Sequence, residues 1–375
     1  MSQVMPEIDT AYLRERLLEM LAIPSPTGFT NELSRYVCAE LDRLGVDYEL
    51  TRRGTIIARI EGAERTVSRA AVNHIDTIGA VVGELKPNGR LGLMPVGTWS
   101  SRFAEGGRVT VFARERAYRG QVLPLLASGH AFNERVDALP IAWNQIEVRL
   151  NESCHDHGDL VALGLRSGDF VAFDPDPEIS ESGYISARHL DNKAGASALL
   201  TALKHIRASG RRPAIDFQAI FTITEEVGTG AGSSLSSEVV EFVGIDIGPV
   251  APGQNARETG VTLCAQDTSG PFDYHMVRKL RELCRAHAIP YQMDVFRYYY
   301  SDANSAVKAG HDVRDALITF GTDATHGYER THLSSLESIA RLLCVYSDAA
   351  PIHPFVEGGI RRFPHVLTGT PAERR

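Results

Sequence analysis

Long apolar runs are missing from this sequence. Nowhere do about 18 apolar residues stand together, the length a membrane-spanning helix needs. Blocks of like charge are missing as well: 39 Lys and Arg face 47 Asp and Glu, a net of −8, with the two signs interspersed. That balance argues against nucleic acid or an anionic membrane as a partner. Cysteine is scarce and scattered, and Cys38, Cys154, Cys264, Cys284 and Cys344 form no C-x-x-C pair. The spacing speaks against a zinc ribbon or a disulfide framework and for free buried thiols. The opening "MSQVMPEIDTAYLRERLLEML" turns charged before any apolar stretch could serve as a signal-peptide core, so a soluble, cytoplasmic protein is expected. No internal repeat and no low-complexity tract is present, and "RRFPHVLTGTPAERR" at the end reads as a loose tail.

What the chain does have is length and apolar content. Its 375 residues, 43% of them hydrophobic, suffice for a sizeable core and suggest two or three domains. Leu13, Leu17 and Leu21 follow a helical period after a cap at Asp9, and "IPSPTG" stops that helix. A second helix is expected from about Thr30 through Leu33, Val37, Leu41 and Leu44 to Gly45. Strand-like runs follow at 46–50, 55–60 and 68–72, so helix and strand alternate as in an α/β fold. From about Gly79 the texture changes to short alternating segments punctuated by glycine and proline, the mark of a small β insert. Helical periodicity resumes at Ala196, Leu199, Leu200, Leu203 and Ile206, and "AIDFQAIFTIT" alternates as a strand should.

Candidate chemistry gathers where these elements end. Glu225 and Glu226 in "TITEEVGTGAG" follow an apolar strand directly, at the edge where open α/β sheets bind ligands. "AAVNHID" delivers His74 and Asp76 at another strand end, "FVGIDIGP" delivers Asp246, "SARHLDNKAG" puts Asp191 where a helix begins, and "GYERTHLSSLES" puts His332 before another. A lone Asp at a helix start is ordinarily a cap, and a lone His at a strand end is ordinarily satisfied by hydrogen bonds. Taken jointly, carboxylates and imidazoles in this number suit two divalent ions of zinc, cobalt or manganese. His326 in "GTDATHGYE" is an alternative to His332 as a ligand. His155 and His157 beside Cys154 read as a solvated turn, the Tyr298–Tyr300 run as strand or core packing, and His130 as undecided between interface and surface.

The motifs "HID", "HLDNKAG", "EEVGTGAG", "GIDIGP" and "ERTHLSS", in this order, resemble the cocatalytic aminopeptidases of peptidase family M42, relatives of the glutamyl and tetrahedral aminopeptidases. "IPSPTG" and "SDANSAVKAG" also look like segments of that family. The resemblance implies a zinc-peptidase-like mixed sheet flanked by helices, residues 1–78 and 179–375, with an inserted β-barrel-like dimerisation domain at 79–178. It implies His74, Asp191 and Asp246 on one metal ion, and Asp191, Glu226 and His332 on the other, with Asp191 bridging. Glu225 becomes the general base, and Asp76 orients His74 through its second ring nitrogen. The implied partners are short peptides and further copies of the chain, as a dimer or a twelve-subunit particle. Two departures stand out: Asn192 where relatives usually carry a second acid, and "GTGAG" where they often carry Arg-Gly-Ala. Both leave the ligand set intact and bear on substrate choice. A deacylase or dipeptidase acting on a small modified dipeptide amide is therefore a rival reading, supported by a resemblance to the branch of the family associated with the osmoprotectant N-acetylglutaminylglutamine amide. A non-catalytic assembly protein on the same fold is a third reading, which the complete ligand set disfavours.

Overall fold

The computed structural model describes residues 6–352. The terminal stretch expected to be a loose tail lies outside them. The expected opening helices form at Thr10–Leu21 and Asn31–Leu44. Asp9 caps the first by accepting a hydrogen bond from Tyr12 N at 2.9 Å. Gly45 ends the second in the left-handed region, φ 63°, where a residue without Cβ costs least.

A nine-stranded mixed sheet follows, in the spatial order Asp47–Leu50, Ile56–Ile60, Ile215–Thr222, Glu64–His74, Val239–Pro249, Arg314–Thr322, Val261–Asp267 and Gly270–Pro271, with Tyr291–Val295 pairing Val261–Asp267. Its centre is parallel: Ile215–Thr222, Glu64–His74, Val239–Pro249 and Arg314–Thr322 run side by side. Both faces of these strands are covered, so residues of either parity are buried. Ala71 points into one core with Phe217, Phe221 and the helices Leu190–Ala208 and Leu333–Asp348, while Ala70 and Val72 point into the other with Phe242 and Ala303. Truncating Phe217 or Phe221 to Ala would cost about 3–5 kcal/mol. The face foreseen for Leu190–Ala208 is buried along its whole length.

Between Gly79 and Phe173 the chain leaves the sheet and closes a six-stranded antiparallel barrel, in the order Gly79–Leu85, Leu91–Val96, Ile146–Leu150, Ala117–Pro124, Arg108–Phe112 and Phe170–Phe173. Closure removes the unpaired edges that so short a sheet would otherwise expose. The barrel has its own core of Val109, Val111, Val122, Val148 and Val171. A third, small sheet joins Glu178–Ile179, Tyr184–Ala187 and Glu329–His332. All five cysteines are free. No helix among the described residues is long and apolar enough to cross a membrane.

Candidate metal centre and active-site cleft

Register brings the candidate residues together at the carboxyl edge of the parallel strands. Thr222 pairs with His74, and Val72 pairs with Gly244, two residues before Asp246. Glu225 and Glu226 open a single 3-10 turn, Glu225–Val227, just past the strand Ile215–Thr222. Asp191 reaches the same point from the other side. It holds non-helical backbone angles, φ −73° and ψ 103°, so that the regular part of Leu190–Ala208 starts only after Asn192.

His74 Nε2 lies 3.0 Å from Asp191 Oδ1 and 3.7 Å from both Glu225 Oε2 and Asp246 Oδ1. Its Nδ1 donates to the backbone carbonyl of Asp76 at 2.9 Å, which turns Nε2 toward the carboxylates. The expected orienting of His74 by Asp76 is thus made by the main chain, with the side-chain Oδ1 farther off at 3.6 Å. The Asp76 carboxylate has other work. It accepts from Thr27 Oγ1 at 2.6 Å and from the backbone N–H groups of Glu225 and Glu226 at 3.2 and 3.4 Å, fixing the turn that carries both glutamates.

The second imidazole at the cluster is His326. Its Nε2 lies 3.5 Å from Asp191 Oδ2 and 3.5 Å from Glu226 Oε2. Its Nδ1 donates to Thr98 O at 3.0 Å, a carbonyl supplied by the loop after the barrel strand Leu91–Val96. His332, expected in this place, is elsewhere. Pairing of Tyr184 with His332 in the small sheet carries its ring to Tyr184, edge-on at 4.9 Å. There its Nε2 donates to Ser182 O at 2.9 Å and its Nδ1 accepts from Ser334 N at 3.1 Å, so neither nitrogen keeps a lone pair for a metal.

Asn192 shows what its departure from an acid accomplishes. Its Nδ2 donates to Ile245 O at 2.7 Å and to Asp246 Oδ1 at 3.2 Å, holding the aspartate in place. A carboxylate there would oppose an acceptor to an acceptor.

The cluster opens into a cleft of about 980 Å³, lined among others by Glu225, Asp246, Tyr298, Tyr300, Lys308 and His326. The tyrosine run departs from the packing role expected of it. Tyr299 packs on Phe296 and donates to Ile247 O at 2.8 Å, but Tyr298 is 96% exposed and Tyr300 55%, both at the cleft. His155 is exposed in irregular loop, its ring 3.2 Å from Ser153 Oγ, while His157, also exposed, opens the helix His157–Ala162 instead of lying in the turn expected; His130 is exposed in the short helix Gly129–Phe132.

The electrostatics of the cluster point one way. Burial works against charge on both rings, yet Asp191, Asp246 and Asp76 hold His74 well above the usual imidazole value, and Glu226 and Asp191 hold His326 at about 10. Burial conversely pushes Glu225 well above the usual carboxylate range and Glu226 to about 8. The cleft is crowded with carboxylates and short of positive charge. Asp191 Oδ1, buried, has no hydrogen-bond partner beyond the His74 ring nitrogen at 3.0 Å. His74 with Glu225 and Asp246, and His74 with Asp191 and Glu226, each bring potential ligand atoms within 4.8 Å of one another. The donor set of imidazole nitrogens and carboxylate oxygens fits divalent metal.

A family model described as M42 glutamyl aminopeptidase matches residues 54–342. The chain belongs to this family. M42 proteins are metal-dependent peptidases, and the chain is accordingly a hydrolase acting on peptide bonds. It is 37% identical over 335 residues to YhfE of Bacillus subtilis, which carries an aminopeptidase name, covering 88% of this chain and 96% of that one. It is 22% identical over 203 residues to the glutamyl aminopeptidase of Lactococcus lactis, covering 52% of this chain and 55% of that one. The fold matches that of a TET aminopeptidase from a marine sediment Thaumarchaeota archaeon, with a TM-score of 0.82, 16% identity, and coverage of 91% and 98% of the two chains. It likewise matches the TET1 peptidase of Pyrococcus horikoshii, with a TM-score of 0.80, 21% identity, and coverage of 90% and 100%.

Proposed function

We propose that this M42 protein is a dinuclear metal-dependent aminopeptidase that removes N-terminal residues from short peptides. One observation carries the reading: the two oxygens of Asp191 face two different imidazoles, Oδ1 toward His74 and Oδ2 toward His326. A carboxylate so placed would serve both ions. His74 and Asp246 would complete one ion's ligands, and Glu226 and His326 the other's. His326 replaces His332 in the set read from the sequence. Zinc suits these donors, with cobalt or manganese as substitutes. When bound, two such ions polarise the scissile carbonyl and acidify the attacking water.

The chain's own groups supply the rest. Glu225 faces the cleft beside His74, and its carboxylate accepts no hydrogen bond from the described residues, so its Oε2 is free to take the proton of the attacking water and return it to the departing amine. Asp76 holds the Glu225 backbone so that the acceptor stays aimed. The exposed Tyr298 and Tyr300 offer ring faces for the side chains of an entering peptide.

We further infer that residues 79–178 act as a dimerisation domain beside a catalytic domain of 1–78 and 179–375. The Pyrococcus TET1 peptidase, described as assembling into a tetrahedron or a large octahedral shell, supports self-association, and a twelve-subunit particle would limit access to short chains. Five free thiols fit a reducing, cytoplasmic setting.

The test is a metal-stripped protein reconstituted with zinc, cobalt or manganese and assayed on free and N-acetylated short peptides and dipeptide amides, with ion content measured in parallel. Two ions per chain and turnover of free amino termini are expected. Turnover confined to N-blocked amides would overturn the aminopeptidase reading in favour of a deacylase. Light scattering tests assembly, and an active monomer at micromolar concentration would refute it.

A further inference from the structure

Beneath the cluster lies a carboxylate that the reaction itself leaves unused. Glu329 is 1% exposed, at the start of the strand Glu329–His332, where pairing with Ala187 sets it under the turn that leads to Asp191. Its two oxygens are spent on two different segments. Oε2 accepts from the backbone N–H of Asp191 at 3.1 Å, and Oε1 accepts from the backbone N–H of His326 at 2.8 Å. The segments it joins stand 138 and 3 residues away along the chain. Each delivers one of the groups that face each other across the His326 side of the cleft.

We propose that Glu329 is a positioning residue whose carboxylate clasps the Asp191 and His326 backbones and so sets the spacing of the His326 metal subsite. This rests on the dinuclear reading given above. The loop it holds carries backbone strain. Ala324 and His326 both adopt left-handed backbone, φ 55° and 62°, a region that side chains with a Cβ enter at a cost. The His326 ring is fixed at its far side by Thr98 O, and its N–H is fixed by Glu329, so that main chain and side chain are pinned independently. On the other flank, Asp191 sits in non-helical backbone ahead of its helix, and its N–H finds a partner in Glu329. A single ionised carboxylate can satisfy both donors. A glutamine cannot, because its amide NH₂ would face one of the two N–H groups, and an aspartate is too short to reach both. Groups that orient metal ligands in this way typically carry about 10–100-fold in metal affinity or activity.

The experiment is a titration of the metal-stripped protein with cobalt(II) against a competing chelator, reading both affinity and the visible absorption of the bound ion, with thermal melting as a control for folding. Wild type must first bind two ions. If it binds none, the dinuclear reading fails whatever Glu329 does. Given two ions, Glu329→Gln is expected to weaken one of them about 10–100-fold, to alter the cobalt absorption, and to lower kcat with KM little changed. Glu329→Asp should fall between, since it keeps the charge and loses one contact. A merely structural carboxylate would lower the melting temperature and leave affinity and spectrum as in wild type. A folded Glu329→Gln protein with wild-type cobalt affinity and spectrum overturns the proposal. Should that variant not fold, Glu329→Asp decides it by the same two readings.

Discussion

The two halves of the cluster present the same local chemistry by different construction. In each, an imidazole gives its Nδ1 proton to a backbone carbonyl and turns Nε2 toward carboxylates. The His74 half stands on the sheet: His74 closes one buried parallel strand, Asp246 lies near the end of the next, and their separation follows from strand register. The His326 half stands on turns. Its imidazole sits in left-handed backbone, its orienting carbonyl comes from the barrel loop at Thr98, and Glu226 is braced by the N–H of Ile78 at 3.0 Å where the chain enters the barrel. One half therefore inherits the rigidity of the core, and the other depends on contacts from separate segments, Thr98 of the barrel loop, Ile78 and Glu329 among them. On the proposed metal reading the barrel would help to place a ligand, through Thr98 O on His326, as well as offer a surface for assembly.

The sharpest way to break this comparison is to remove what the halves share. Asp191→Ala takes an oxygen from each side, and both ions and all measurable turnover are expected to go. Elemental analysis finding two tightly held ions in that variant would refute bridging. Glu225→Gln should leave both halves standing, with ions retained and turnover lowered about 10²- to 10⁴-fold, because the amide keeps the shape and loses the proton acceptor. Near wild-type turnover at full metal occupancy would remove Glu225 from its role. His326→Ala should separate the halves. One ion is retained at the His74 side, and the other is weakened by at least the roughly 10–100-fold that loss of a supporting partner alone brings. Equal weakening of both ions would mean that the halves are not independent.

Asp191 and Glu226 were read from the sequence along with the sheet-built residues, and His326 stood as the alternative to His332; what local pattern did not decide was which histidine belongs to the turn-built half, for a physical reason. A buried strand announces itself by composition, so a polar residue closing it, such as His74 or Glu225, is conspicuous. His332 drew attention by a different route, standing just before a helix in a motif that resembles the family's, and its neighbours look much like those of His326. What separates the two is the pairing of Tyr184 with His332 in the small sheet, a contact across 148 positions that no local pattern records. Glu329 escaped notice likewise, because its partners are backbone N–H groups, which have no sequence signature. The tyrosine run was misjudged in a related way. Three adjacent aromatics suggest burial, but in an irregular segment they point in different directions, and only Tyr299 turns inward. The barrel could be foreseen from its alternating segments, whereas its delivery of Thr98 O to the cluster could not.

The mildest prediction concerns the histidine that stayed out of the cluster. His332 is the N-cap of the helix Leu333–Asp348, accepting from Ser334 N through Nδ1 while Nε2–H bonds to Ser182 O. Replacing it with alanine removes the cap acceptor, and such a loss costs about 0.5–2 kcal/mol. The helix it caps is buried through Leu336, Ile339, Leu343 and Tyr346, which tertiary packing would continue to hold. His332→Ala is therefore expected to melt a few degrees earlier, to bind two ions with unchanged affinity, and to turn over peptide at close to the wild-type rate. The paired outcome for His326→Ala is the reverse, a metal defect with little loss of stability. If His332→Ala instead loses an ion while His326→Ala keeps both, the assignment of the turn-built half is wrong and the ligand first read from the sequence is the true one. Measuring melting and metal content on both variants in one experiment decides between the two histidines.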